Sequence, residues 1–408
     1  NHILFHEEQK NAIINAINSG VSVITGGPGT GKTTIIKCII EILKEHKLKF
    51  MLLAPTGRAA KRMSDSTGEE AKTIHRALEV ASGDLALNSR FVYNENNTFK
   101  TNVVIVDEMS MVDVALMNHL CKALPRDCKL ILVGDKDQLP SVGAGNVLDD
   151  ILKSGVITVS MLTKIFRQSD DSLIITNAHL INSGKMPFIN NSSKDFFFEE
   201  KSDLESIKNS IVDMVVKRLP KYTGLDSNQI QVLAPLKAGV CGISNLNRAL
   251  QASLNPPSVT KLELPVGENI FRVGDKVMQT TNNYNLVWKK INGFIEEEGE
   301  GVFNGDIGFI EMIDFQTNEM VVMFEDGRRC IYPRTDINQL SLAYAITIHK
   351  SQGSEFDVVI IPAIAGPSLI LTRNLIYTAV TRAKKMVVIV GEQKNLKRMV
   401  SNNYTVQR

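Results

Sequence analysis

Short runs of apolar, often β-branched residues recur along the first part of the chain, separated by stretches in which apolar positions have helical spacing. The first run, Val21–Thr25, leads through a glycine-rich segment into the periodic stretch Ile35–Leu43. The later runs are Phe50–Ala54, Val103–Val106, Leu130–Val133 and Ile157–Leu162. Fully apolar strands that alternate with helices are typical of a parallel sheet covered on both faces. The pattern predicts an α/β domain over residues 1 to 160.

One segment, residues 82–100, breaks this alternation. Its second half, Phe91–Phe99, predicts two short strands around an Asn-rich turn, and therefore a projecting β-hairpin inserted into the first domain. Three aromatic residues (Phe91, Tyr93 and Phe99) are many for a solvated loop of this length. They indicate a functional hairpin, with packing against the first domain as the alternative.

A second α/β set follows. The runs Gln229–Ala234, Val358–Ile361 and Met386–Val390 predict strands, and residues 256–337 between them are rich in glycine and short β runs. We expect a second α/β domain from residues 161–255 and 338–408, interrupted by a small all-β insertion at 256–337. The acidic run Glu296–Glu300 within the insertion predicts a solvated loop.

Bulk properties narrow the function classes. The chain has 408 residues, 43% hydrophobic content and a formal net charge of only +2, so any nucleic-acid contact must use a local groove. The longest apolar run, Val358–Leu371, is interrupted by Pro362, Gly366 and Pro367 and is too short to span a membrane. The five cysteines form no C-x-x-C pair, which favours reduced thiols in the cytoplasm over a zinc site. Because the chain begins with Asn1, we expect it to be part of a longer protein.

The segment Gly26–Thr34 carries the clearest chemistry. It matches G-x-x-x-x-G-K-[ST] at Gly26, Gly31, Lys32 and Thr33. In this motif backbone N–H groups surround phosphates, the lysine adds positive charge and the hydroxyl ligates Mg²⁺. A glycine-rich turn could match by chance, but the preceding strand and the following helix disfavour that. The sequence predicts binding of a nucleoside triphosphate.

Two polar segments follow predicted strands. Asp107 and Glu108 end the run at Val103–Val106, where Asp107 could hold Mg²⁺ and Glu108 could orient and deprotonate the attacking water. The alternative is an exposed acid pair. In Gly134–Pro140, Gln138 could reach a γ-phosphate or its water, while the alternative is a simple turn made by Gly134 and Asp135.

Together with these motifs, several stretches resemble one family. They are Ala54–Ala60, Thr73–Arg76, Asp107–Asp113, Ile165–Gln168, Leu340–Phe356 and Tyr377–Lys384. The chain resembles superfamily 1 helicases, most closely the RecD-like group, from residue 9 to about residue 390. The resemblance implies two RecA-like P-loop domains with parallel sheets, a strand-separating pin at residues 82–100 and an SH3-like insertion at residues 256–337.

The resemblance also implies roles for individual residues. Gln9 would read adenine, Gly353 and Glu355 would lie at the ribose, and Arg167 and Arg382 would reach the γ-phosphate. The phosphate-loop set is Gly27, Gly29, Thr30, Gly31, Lys32, Thr33 and Thr34, with Thr33 and Asp107 for the metal. The set implied for single-stranded DNA is Thr56, Arg58, His75, Thr347 and His349.

As a whole, the resemblance implies a motor that uses ATP and Mg²⁺, moves 5′ to 3′ on single-stranded DNA and acts at junctions with duplex. Family members carry a further N-terminal region before the glutamine motif, whereas here eight residues precede Gln9. Two alternatives remain open. One is a translocase that does not unwind duplex, and the other is an ATP-gated DNA-binding or recombination-loading module.

Overall fold

The computed structural model describes residues 5–79, 91–164, 166, 172–191, 193–293 and 295–404. The chain divides into two compact units, one drawn from the residues up to Asp171 and the other from Ser172–Tyr404. No helix in the described part of the chain is long and apolar enough to cross a membrane.

The first unit is an α/β layer structure. Its strands are β1 (Val21–Gly26), β2 (Phe50–Ala54), β3 (Ala71–Thr73), β4 (Val103–Val106), β5 (Lys129–Gly134) and β6 (Thr158–Leu162). Its helices are α1 (Glu7–Asn18), α2 (Lys32–Glu45), α3 (Gly57–Thr67), α4 (Ile74–Leu78), α5 (Val114–Ala123) and α6 (Val147–Ser154). All six strands pair in parallel in the order β3-β2-β4-β5-β1-β6, which confirms the predicted α/β class.

Each face of this sheet carries its own apolar core, because successive side chains of a strand point to opposite faces. In β4, Val103 and Ile105 pack with the apolar side of α2, whereas Val104 and Val106 pack with α5 and α6. Because both faces of the sheet are buried, the sequences of its strands are continuous apolar runs.

The residues of the expected hairpin that the structure describes, 91–100, form no extended strand. Asn94 and Asn97 make an isolated antiparallel bridge, and the Asn94 side chain donates to the carbonyls of Phe91 and Val92. Phe91 and Phe99 are buried in the core of the first unit, so the packing alternative is correct for both. The prediction of two strands within 91–99 is wrong, because asparagine side chains close a compact turn. Residues 80–90 lie outside the described part.

The second unit contains the remaining elements. Its helices are α7 (Leu173–Asn182), α8 (Leu204–Asp213), α9 (Leu219–Thr223), α10 (Ile243–Leu254), α11 (Arg373–Val380) and α12 (Gln393–Ser401). Its first strands are β7 (Phe196–Glu200), β8 (Ile230–Ala234), β9 (Glu263–Val266), β10 (Asn269–Arg272), β11 (Lys276–Gln279), β12 (Asn283–Asn292) and β13 (Ile295–Val302). Its later strands are β14 (Ile307–Asp314), β15 (Glu319–Phe324), β16 (Arg329–Pro333), β17 (Leu340–Leu342), β18 (Ala345–Thr347), β19 (Phe356–Ala363) and β20 (Ala383–Gly391).

These strands form one parallel sheet and an all-antiparallel part. The parallel sheet has the order β18-β8-β19-β20-β7. A seven-stranded antiparallel sheet has the order β13-β12-β16-β15-β14-β11-β17, and β9 pairs with β10 beside it. The second α/β sheet and the all-β insertion are thus both present, as the fold class predicts.

The acidic run Glu296–Glu300 lies in strand β13, so its prediction as a loop is wrong. Lys289 stands opposite Glu298 and Lys290 opposite Glu297 in the neighbouring strand β12. Lys289 Nζ also lies 3.1 Å from Glu296 Oε1. Opposite charges across an antiparallel pair favour the ladder and offset repulsion within the run.

Candidate nucleotide-binding site

The phosphate loop connects β1 to α2 and curves around the ammonium group of Lys32. Gly29 and Gly31 have φ angles of 77° and 84°, in the left-handed region that glycine adopts without steric cost. Lys32 Nζ donates to the carbonyls of Gly26 at 2.5 Å and Gly27 at 2.9 Å. The Thr30 hydroxyl donates to the carbonyl of Gly27 at 2.8 Å, which closes the loop.

Two neighbouring groups brace this loop. Gln9 of α1 donates from Nε2 to the Thr30 carbonyl at 3.2 Å and accepts from the His6 backbone N–H at 3.1 Å. The Phe166 backbone N–H donates to the carbonyl of Gly29 at 2.8 Å. Gln9 is buried, and a Cβ atom on Gly31 would clash with its amide nitrogen. The structure therefore places Gln9 against the loop.

The acid pair lies directly beyond β4. Both carboxylates are buried, and the Glu108 backbone N–H donates to Asp107 Oδ1 at 2.8 Å. Burial raises the pKa of Asp107, the Glu108 carboxylate raises it further, and Arg62 opposes the rise. Glu108 has a φ of 54°, a left-handed conformation that is uncommon for a residue with a side chain. Such strain at a polar, buried position is typical of functional sites.

Gln138 lies in the turn after β5. Its Nε2 donates to Asp135 Oδ2 at 3.2 Å, and its backbone N–H donates to the Asp135 carbonyl at 3.3 Å. Its Oε1 atom is buried and has no hydrogen-bond partner among the described residues. A buried amide oxygen without a donor costs free energy, so this atom is suited to accept from a water molecule or a ligand.

These groups fit a nucleotide with a divalent cation. The N-terminus of α2 directs backbone N–H groups at one position, where an anion is favoured. Thr33 is exposed and Thr34 half-buried in the first turn of that helix. The Thr33 hydroxyl and the Asp107 carboxylate are oxygen ligands of the kind that Mg²⁺ prefers.

The first-unit residues implied for DNA lie at the same edge of the sheet, at the carboxyl ends of its parallel strands. Thr56, after β2, caps α3 by accepting from the Ala59 backbone N–H at 3.3 Å, and Arg58 lies in the first turn. His75 lies in α4, just beyond β3, and its ring centroid is 6.2 Å from that of Phe91. In open parallel sheets ligands bind at this edge.

The second-unit residues implied for DNA and for the ribose lie at the end of β18 and in the segment that follows it. Thr347 is buried and accepts from the Lys350 backbone N–H at 3.3 Å, with half-buried His349 in the same turn. Gly353 has a φ of 72°. Glu355 is exposed.

Arg382 is buried, with 3% of its surface exposed. Its guanidinium donates to the carbonyls of Ser354 at 3.2 Å and Thr378 at 3.3 Å, and to the Thr381 hydroxyl at 3.3 Å. All three acceptors are neutral, and no described carboxylate pairs with this arginine. A buried cation with neutral partners is costly and favours an incoming anion.

Two further arginines, Arg167 and Arg62, concern the same site. Arg167 lies outside the described residues. Arg62, which the sequence analysis did not assign, donates from Nη2 to Glu108 Oε1 at 2.5 Å. Its spacing of four residues from Arg58 on the predicted helix was the available signal, because i and i+4 share a helix face.

Three family models match the chain and together span more than half of it. An AAA domain matches residues 9–144, an ATP-dependent RecD-like DNA helicase SH3 domain matches residues 246–324, and a UvrD-like helicase C-terminal domain matches residues 342–390.

Curated relatives match nearly the whole chain. An ATP-dependent RecD2 DNA helicase of Deinococcus radiodurans is 32% identical over 94% of this chain and 49% of that protein. A RecBCD enzyme subunit RecD of Mycobacterium tuberculosis is 29% identical over 97% of this chain and 71% of that protein. The chain thus spans about half the length of the Deinococcus relative.

Solved structures show the same fold. A Pif1 helicase from Bacteroides in complex with ADP-AlF3 and ssDNA matches with a TM-score of 0.57 and 20% identity, over 98% of this chain and 94% of that one. Pif1 helicase from Candida albicans matches with a TM-score of 0.56 and 19% identity, over 97% of this chain and 98% of that one.

Proposed function

Because this chain belongs to the RecD-like helicases, we propose that it is the motor part of an ATP-dependent DNA helicase. One observation carries the proposal. The phosphate loop, the Asp107–Glu108 pair and the capped turn at Thr56 all follow carboxyl ends of strands in one parallel sheet. A nucleotide and a polynucleotide would therefore bind to neighbouring loops of one rigid scaffold.

In this proposal the phosphate loop binds ATP. Lys32 exchanges its present acceptors, the loop carbonyls, for the stronger charge-assisted bonds of phosphate oxygens. Thr33 and Asp107 would hold Mg²⁺, which would supply positive charge to the phosphate groups. The elevated pKa of Asp107 is relieved by such a cation, because a positive charge favours its ionised form.

Glu108 is the proposed general base. Its carboxylate is buried and held next to Asp107, where it would orient a water molecule and accept its proton. Gln138 would accept from or position that water through its unpartnered Oε1 atom. Gln9 would hold the loop from behind and read adenine, as the resemblance implies.

Arg382 is proposed to stabilise charge on the transferring phosphoryl group, and Arg167 to act with it. The neutral acceptors around Arg382 leave its positive charge uncompensated, which suits an anion that gains charge during reaction. Gly353 and Glu355 would contact the ribose.

Single-stranded DNA is the proposed track, bound by Thr56, Arg58, His75, Thr347 and His349. Hydroxyl, guanidinium and imidazole groups suit phosphate oxygens and sugars without reading sequence. We propose movement 5′ to 3′ and action at junctions with duplex, on the resemblance alone. A translocase would share every ATPase motif and would move on single strands without unwinding duplex. In an ATP-gated DNA-binding or recombination-loading module, hydrolysis would only reset the affinity for DNA.

The test is DNA-stimulated ATP hydrolysis with Mg²⁺, measured for the parent and Glu108→Gln. The amide keeps the size of the side chain but cannot accept the proton, so turnover is lost while ATP and oligothymidylate still bind. An exposed carboxylate elsewhere, Glu41→Gln on α2, is the matched control and keeps the parent rate. Hydrolysis by Glu108→Gln within a few-fold of the parent contradicts the assignment.

A further inference from the structure

Arg62 contacts the carboxylate of Glu108, the proposed general base. Its Nη2 atom lies 2.5 Å from Glu108 Oε1 and 3.8 Å from Asp107 Oδ2. The Glu108 side chain is 6% exposed and that of Arg62 is 33% exposed. The contact therefore joins a deeply buried carboxylate to a guanidinium that solvent, or a ligand, can still reach.

This contact has a chemical consequence. A carboxylate oxygen in a short, charge-assisted bond with a guanidinium has a lone pair engaged and its negative charge partly neutralised. The bond fixes the direction in which the carboxylate points, and the engaged oxygen is turned to Arg62 instead of to a water molecule. While the pair persists, Glu108 is held in a state unsuited to deprotonating water.

The helix that carries Arg62 begins at a proposed DNA contact. Thr56 caps α3, Arg58 lies in its first turn, and Arg62 lies four residues further along. Residues four apart share one face of a helix and are separated by about 6 Å along its axis. A DNA phosphate bound by Arg58 would thus lie about one helical turn from Arg62.

The packing of α3 is compatible with small adjustments. Its buried face consists of Ala59, Ala60 and Met63, and the two alanines pack on Ala54 at the end of β2. The two alanines bury little apolar area, so a small shift at the N-terminal end of the helix gives up little contact energy there. Arg62 also has a long side chain, which can exchange a carboxylate for a phosphate without moving the helix.

We propose that Arg62 is a positioning residue that withholds Glu108 from the attacking water until single-stranded DNA binds at the first turn of α3. DNA phosphate competes for the guanidinium or shifts α3, and Glu108 is released to act as base. Arg62 thereby makes ATP hydrolysis dependent on DNA. This inference rests on the proposed function.

The test compares ATPase turnover of Arg62→Gln with that of the parent, with and without an oligothymidylate. We expect DNA-free turnover to rise by about tenfold or more, the order that loss of one charged hydrogen bond permits. Turnover with DNA stays within about threefold of the parent, so the stimulation ratio collapses. Arg62→Lys, which keeps the charge, retains low DNA-free turnover. Lys61→Gln, an exposed neighbour on α3, is the matched control and keeps the parent ratio.

Other outcomes overturn the inference in distinguishable ways. If the parent is stimulated by DNA and Arg62→Gln keeps the parent ratio, the inference fails and the proposed function stands. If DNA-free and DNA-bound turnover of Arg62→Gln fall together while its melting temperature is unchanged, Arg62 assists catalysis and does not restrain it. If Arg62→Gln does not fold, Arg62→Lys provides the test. Raised DNA-free turnover of Arg62→Lys would contradict the inference that the positive charge at this position restrains Glu108. A parent that hydrolyses ATP without any DNA stimulation overturns both proposals.

Discussion

The side-chain amide of Gln9 donates to the backbone carbonyl of Thr30 at 3.2 Å, so the first helix holds the phosphate loop from outside. This bond passes directly over Gly31, where an added Cβ atom would clash with the Gln9 amide nitrogen. The conformation of the phosphate loop and the position of α1 therefore depend on each other, although Gln9 and Thr30 are 21 residues apart in the sequence.

Gly31→Ala is predicted to weaken nucleotide binding by about tenfold or more. The left-handed backbone at Gly31 costs a residue with a side chain about 1–2 kcal/mol, and the clash with Gln9 adds to that cost. Fluorescent-nucleotide titration measures the effect. Gly155→Ala is the control, because Gly155 is also left-handed but has no atom within 4 Å of its would-be Cβ. Equal nucleotide affinity in the parent and Gly31→Ala contradicts the arrangement.

Arg382→Ala is predicted to lower kcat by about 10³-fold while nucleotide affinity changes much less. The reason is that a guanidinium aimed at charge that develops in the transition state contributes mainly to the rate. Steady-state ATPase kinetics and nucleotide titration measure the two effects separately. Arg248→Ala, which removes an exposed arginine of the same unit, leaves both unchanged. A parallel loss of affinity and kcat removes Arg382 from the catalytic set.

Phe91→Ala is predicted to destabilise the first unit by about 3–5 kcal/mol, the usual cost of removing a buried phenyl ring. Phe91 is 2% exposed and its ring lies 4.9 Å from that of His119. Thermal melting measures the loss. Asn96→Ala, at the exposed tip of the same turn, is the control and melts with the parent. A variant Phe91→Ala that melts with the parent would show that this ring does not belong to the core.

Some of the site could be predicted from local sequence. The apolar strand Val21–Thr25, the glycines and the helical spacing after Lys32 define the phosphate loop within one short segment. Strand-end acids such as Asp107 are equally local signals, because the carboxyl end of a parallel strand fixes where they emerge.

Other features depend on packing between distant segments. Arg62 and Glu108 are 46 residues apart, and their contact requires α3 to lie beside the end of β4. The burial of Phe91 depends likewise on His119, and the pairing of the acidic strand β13 depends on lysines of β12. Sequence periodicity indicates the elements but not these contacts, so the aromatic residues and the acidic run were open to other interpretations.

The proposed strand-separating pin remains a prediction. Because Phe91 is buried in the core of the first unit, a change that tests the pin must leave this residue in place. Replacing residues 82–89 with a Gly-Ser linker preserves Phe91 and is predicted to keep DNA-stimulated ATPase and lose duplex unwinding. Unwinding at the parent rate contradicts the pin assignment.

Strand displacement tests the central claim most directly. A labelled duplex with either a 5′ or a 3′ single-stranded overhang is incubated with the protein, ATP and Mg²⁺, with Glu108→Gln as the inactive control. The account predicts displacement from the 5′-overhang substrate by the parent and none by Glu108→Gln. Displacement only from the 3′-overhang substrate contradicts the proposed direction. DNA-stimulated ATP hydrolysis without strand displacement from either substrate contradicts the proposed helicase activity and favours a translocase or a loading module.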